Sequence, residues 1–137
     1  MKKRSIIVLS MIMAIVLLFS TGMAFAATKY IITSTGYIDA YGYGCDFSGT
    51  TGATVNSNGY YTDVTGVRVR TTVYKNGIKV TDVSADDTTS PYSVTKSGAC
   101  SSTNYSNSWK LVRTHYCKTG AQTYYTVVHS VEEYDSN

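Results

Sequence analysis

The side chains able to do chemistry are few, and their spacing excludes most reactions. Three cysteines (Cys45, Cys100, Cys117) and two histidines (His115, His129) are the only thiol and imidazole side chains in the chain. A thiol nucleophile needs an imidazole to deprotonate it. His115-x-Cys117 supplies both types, but on one short stretch and with a cysteine that suits oxidation better than catalysis. A turn at residues 118–121 that pairs Cys117 with Gln122 would set His115 opposite Tyr124 and His129 opposite Lys110. The two rings then lie on opposite faces, and no third ligand joins them to make the three or four that zinc requires. The expectation is no metal and no cofactor.

Carboxylates and hydroxyls lead to the same place. Glycoside hydrolysis needs two carboxyl groups facing one another across a cleft; Glu132 and Glu133 are adjacent in sequence and would point to opposite sides of a strand. Asp82, Asp86 and Asp87 lack the alternating spacing of a calcium loop and read as solvated turn residues. No serine sits in a Gly-x-Ser-x-Gly elbow. The chain reads as a non-enzyme.

An odd cysteine count in an exported chain allows one internal bridge and one leftover thiol. Cys100 and Cys117 flank a polar loop and a strand, and their bridge would contribute roughly 3 kcal/mol by restricting the unfolded chain. Cys100–Cys117 is therefore ranked first, with Cys45–Cys100 and Cys45–Cys117 as rivals. Cys45 then stays free. Its place in the alternating run Tyr41-x-Tyr43-x-Cys45-x-Phe47 suits a buried strand position, and an intermolecular bond giving a homodimer is the sharper alternative.

Export itself is read from the N-terminus. Lys2, Lys3 and Arg4 precede an apolar run over residues 6–19, and Ala24-Phe25-Ala26 has the small-x-small pattern of a signal-peptidase site. The run is shorter than the roughly 20 residues that span a bilayer. Residues 1–26 are thus expected to be a cleaved signal peptide and 27–137 the secreted domain, with no stable membrane insertion afterwards. The formal charge of the whole chain is +3, and those three basic residues carry all of it. The mature domain is neutral, which removes the positive field that a nucleic-acid partner needs. Arg68, Arg70, Lys75 and Lys79 read as a solvated strand face.

The elements that would position these residues are strands. After the leader, leucine occurs once, at Leu111, while Thr, Val, Tyr and Ser abound; β-branched and aromatic side chains suit a pleated, half-buried surface. Glycines and asparagines punctuate the chain at short intervals, the pattern of a sandwich or barrel. The expected fold is all-β: a single antiparallel β-sandwich, or a small β-barrel, of about seven to nine strands. The firmest element is a hairpin on Asn76-Gly77, the residue pair preferred for a type I′ turn. It would pair Lys75 with Ile78, Val73 with Val80 and Thr71 with Asp82, with Val67, Val69, Val73, Ile78 and Val80 on the apolar face.

What remains is an excess of aromatic side chains, with 13 tyrosines and one tryptophan. Tyrosine offers an apolar ring with a polar tip, suited to sugar faces and protein partners. Tyr41, Tyr43, Tyr60, Tyr61, Tyr92 and Tyr105 lie nearest to glycines or loops and are the candidate contact residues; Trp109 is assigned to the core. The composition points to a small secreted binding protein for an extracellular glycan or protein. A secreted antimicrobial, toxin-like protein or enzyme inhibitor is the alternative, and a structural or matrix subunit the next.

Overall fold

The computed structural model describes residues 26–137. The signal-peptide assignment, apart from Ala26, lies outside those residues. Eight strands follow in order: β1 (Lys29–Tyr41), β2 (Gly44–Val55), β3 (Tyr61–Thr62), β4 (Val64–Lys75), β5 (Ile78–Asp87), β6 (Ser93–Ser101), β7 (Ser108–Thr119) and β8 (Thr126–Ser136). They form two antiparallel four-stranded sheets, ordered β3-β1-β2-β6 and β5-β4-β7-β8. The sheets are open and stacked face to face, so the fold is a β-sandwich and not a barrel.

Strict alternation explains the layering. In β4, Val67, Val69, Thr71 and Val73 are fully buried, while Arg68 and Arg70 point outward. In β7, Trp109, Leu111, Arg113, His115 and Cys117 point inward. The interior is not uniformly apolar. One cluster of Cys45, Phe47, Val73, Trp109 and Leu111 fills one end. A second, of Ala53, Val64, Val67, Val69 and Val94, fills the other. Between them lies a belt of buried polar side chains: Thr51, Thr71, Arg113 and His115.

The Asn76-Gly77 turn forms as expected, with both residues at positive φ (49° and 82°). Its register holds only for the first two pairs. Lys75 faces Ile78 and Tyr74 faces Lys79; a bulge at Val80 then sets Val73 opposite Thr81, Thr72 opposite Asp82 and Thr71 opposite Val83. Ile78 and Val80 are both exposed, against the expectation that they share the apolar face; the bulge displaces Val80, while Ile78 keeps its expected partner beside the turn. The physical reason is electrostatic as well as apolar. The unbulged register would have aimed Asp82 at the interior. The bulge turns Val83 and Ala85 inward and sends Asp82 and Asp86 out to Arg70 and Arg68.

The β7–β8 hairpin also departs from expectation. Cys117 pairs with Thr126, not Gln122, and His115 lies directly opposite His129. The connection is therefore longer than a tight turn at residues 118–121. β1 runs unbroken from Lys29 to Tyr41. The run from Tyr41 to Phe47 is not one strand: Tyr41 ends β1, Gly42-Tyr43 makes the turn with Gly42 at φ 28°, and Gly44 opens β2.

Candidate functional site

The six candidate tyrosines do not form one surface; the fold divides them between the two ends of the sandwich. Tyr41 and Tyr43 sit on the β1–β2 turn, and Tyr105 sits on the loop between β6 and β7. The Tyr43 and Tyr105 ring centroids are 4.0 Å apart with the planes tilted by 48°. Both rings remain open to solvent, at 49% and 62%, and Tyr41 beside them at 48%. At the opposite end, Tyr61 pairs with Tyr30 across β3 and β1, and Tyr92 meets Tyr30 edge-to-face at 6.2 Å. Tyr61 and Tyr92 thus cover the second apolar cluster. Tyr60 alone of that group is fully exposed.

The Tyr41–Tyr43–Tyr105 end is held by a polar frame. Asn137 donates from Nδ2 to the carbonyls of Tyr41 (3.0 Å) and Gly42, and its Oδ1 accepts from the Asn107 backbone N–H at 3.2 Å. Asn107 is buried and donates to the Asn104 carbonyl, which shapes the loop that carries Tyr105. Asn76 accepts from the Ser108 N–H at 2.8 Å and donates to Asn107 Oδ1 at 3.2 Å. The Tyr41 hydroxyl donates to Asp46 Oδ1 at 3.3 Å. Partial burial first, and then the Asp46 carboxylate, push the Tyr41 phenol upward, so it stays a neutral donor. The Tyr43 phenol is raised chiefly by Tyr105. The result is a set of phenol rings over a turn held by hydrogen bonds, edged by the carboxylate of Asp46 and the amide of Asn137. Such a surface can stack on an apolar ring face and exchange hydrogen bonds with hydroxyls.

The polar belt is a feature that sequence reasoning missed. His115 Nδ1 lies 2.7 Å from Thr51 Oγ1, and that hydroxyl donates its proton to the Arg68 carbonyl at 3.0 Å. The Thr51 oxygen must then accept, which places the His115 proton on Nδ1 and leaves Nε2 bare and buried. His129 stacks on His115 with centroids 4.8 Å apart, and its Nε2 is 2.6 Å from Ser34 Oγ. Burial, with His129 and Arg113 adding to it, depresses the His115 pKa to about 4. Arg113 is buried and paired with Glu133. It occupies a slot made by the facing glycines Gly36 and Gly49, where a Cβ on either would press on its side chain. The expected separation of the two histidines on opposite faces is thus corrected. They meet because β8 is registered four positions beyond the tight-turn pairing at Cys117 and a bulge at Val128 adds a fifth at His115. Among the described residues, no group of three His, Cys, Asp or Glu side chains gathers into a metal-ligating set.

The cysteines are arranged differently from the first-ranked pairing. Cys45 and Cys100 are directly opposed on β2 and β6 and approach to 4.4 Å. Cys117 pairs with Val67 at the far end of β7. Trp109, which packs in the cluster that Cys100 joins, is eight residues away from it, about 25 Å of extended strand. Cys100 and Cys117 are therefore too distant to bridge. Cys45 is 0% exposed, the placement expected of a buried strand residue, and an intermolecular bond from it would require the sheet to open.

The outer face of the second sheet carries the Arg68–Asp86 and Arg70–Asp82 pairs, each bidentate. Arg68 stacks on Tyr125 with its guanidinium carbon 4.2 Å from the ring centroid. An open cleft of about 390 Å³ lies among Arg68, Arg70, Asp82, Ser84, Tyr116 and Tyr125. Both guanidinium groups are engaged by carboxylates, which agrees with reading this stretch as a solvated strand face. Comparison with protein-family models, curated proteins and solved structures finds no match to this chain.

Proposed function

We propose that residues 27–137 are a secreted, non-catalytic binding protein that takes a glycan on the end formed by Tyr41, Tyr43 and Tyr105. The observation that carries this reading is the packing of Tyr43 against Tyr105 while both stay half open to solvent. Rings that close up for stability alone are normally covered, as Tyr61 and Tyr92 are. The rings here rest on a turn and loop pinned by Asn107 and Asn137, so little ordering accompanies binding. The flanking Asp46 carboxylate suits sugar hydroxyls. The basic–apolar–small leader supports export, and the neutral mature domain suits an uncharged ligand.

The test is a glycan array and cell-wall retention assay, followed by titration with the best binder. Tyr43→Ala and Tyr105→Ala are each expected to weaken binding at least tenfold, about 1.4 kcal/mol; Tyr60→Ala, at the opposite end, is expected to leave it unchanged. Absence of retention on any glycan would overturn the reading, and growth inhibition by the purified protein would favour the toxin-like alternative.

A further inference from the structure

Cys45 and Cys100 face each other across β2 and β6, one residue in from where those strands end. Directly opposed residues on antiparallel strands have Cα atoms about 4.5–5.5 Å apart, inside the span that a disulfide bridges. The strands run close there, for a Cβ on Gly44 would collide with the Cys100 carbonyl. Both side chains belong to the Phe47–Trp109–Leu111 cluster, and the remaining cysteine is at the other end of the sandwich. We infer that Cys45 and Cys100 form the protein's one internal disulfide and that Cys117 stays a buried thiol.

The chemistry follows from exposure. Cys45 is sealed, whereas Cys100 is partly open, so Cys100 meets the oxidant first. The oxidant is a disulfide, either the active-site disulfide of a dithiol oxidoreductase or a small-molecule one. The Cys100 thiolate attacks one of its sulfurs and releases the other as a thiol, leaving a mixed disulfide. Cys45 then attacks the Cys100 sulfur and expels the second thiol. The pair loses two electrons and two protons, and the oxidant's two sulfurs take them. Burial and the neighbouring Cys100 hold the Cys45 thiol up at about 12, which makes the second step the slow one once the sheet has closed.

The position also bears on recognition, and this part rests on the proposed function. Cys45 follows the turn that carries Tyr43, and Cys100 precedes the loop that carries Tyr105. The bond would fix the two segments on which those rings are mounted.

Trypsin places the three cysteines in separate peptides: residues 30–68, 97–110 and 114–118. The full-length gene product, recovered from medium or from cells, is equilibrated with oxidised glutathione. It is then denatured in N-ethylmaleimide and digested without reductant. The expected product is peptide 30–68 joined to 97–110, lighter by two hydrogens than their sum, with Cys117 quantitatively labelled. Cys117→Ser should give the same joined peptide from a monomer. A joined peptide containing residues 114–118, a disulfide-linked dimer, or label on all three cysteines would each overturn the assignment. Because the map does not read ligand binding, it stands or falls separately from the glycan assay.

Discussion

At the residue scale the belt of polar side chains is the most consequential arrangement. Arg113 is 5% exposed and paired with Glu133, and its Nε has no partner in the protein. Removing one member of a buried ion pair leaves an uncompensated charge. Glu133 is itself a third exposed, which tempers the loss. Arg113→Ala is expected to cost about 3 kcal/mol, read from urea unfolding. Arg113→Met, which fills the glycine slot without a charge, should recover a good part of it. His115 gives the fold an acid sensitivity whose sign can be worked out. Its folded pKa, about 4, lies below its unfolded value near 6.5, so the unfolded chain takes up the proton first. Stability from this group is complete above roughly pH 6.5 and is lost progressively as pH falls toward 4. The loss amounts to at most about 3 kcal/mol. Chemical denaturation between pH 7 and pH 4 should show it, and His115→Asn should flatten that part of the profile. Below that window, Asp82 and Asp86, held low chiefly by hydrogen bonds from Arg70 and Arg68, add a further and weaker dependence.

At the element scale, the Asn76-Gly77 turn is the clearest test of local coding. Nothing lies within 4 Å of a Cβ placed on Gly77, whose φ is 82°. Gly77→Ala therefore isolates the backbone term, and a loss of about 1 kcal/mol is expected, measurable as a shift in the urea midpoint. This hairpin was legible in the sequence because the turn pair demands positive φ and the flanking residues alternate. The bulge at Val80 was not, since it arises from where Asp82 finds its arginine. The β7–β8 register was equally hidden. Both faces of that pair are mixed, so no apolar pattern selects one pairing over another. The candidate site was half legible. Tyr41, Tyr43 and Tyr105 stand where glycines and a polar loop suggested an exposed cluster. Tyr61 and Tyr92 had the same local signature, yet the fold spent them on its second apolar cluster. The Cys45–Cys100 opposition was hidden for a different reason from the His115–His129 stack: the β7–β8 pairing was expected and only its register was not, whereas sequence separation says nothing about β2 and β6 becoming neighbours.

At the scale of the whole molecule, two apolar clusters and a polar belt replace a single continuous core. β6 is an edge strand held to the first sheet only through β2, and the inferred Cys45–Cys100 bond would tie the two together. A link across that long stretch of chain should stabilise the fold by about 4 kcal/mol through the unfolded state. Unfolding of the oxidised protein with and without dithiothreitol, monitored by Trp109 fluorescence, is expected to differ by about that amount, whereas Cys117→Ser should show the same difference as the parent.

Asn137 grips the Tyr41 and Gly42 carbonyls, while Lys29 begins β1 at its other extremity, about 40 Å away along the strand. Attachment chemistry is therefore not neutral for this protein. Anchored to a bead or sensor chip on the Lys29 side, the molecule would stand with its three open rings pointing into the bulk liquid. Anchored on the Asn137 side, it would be pressed ring-side down, and an active preparation would register as inert.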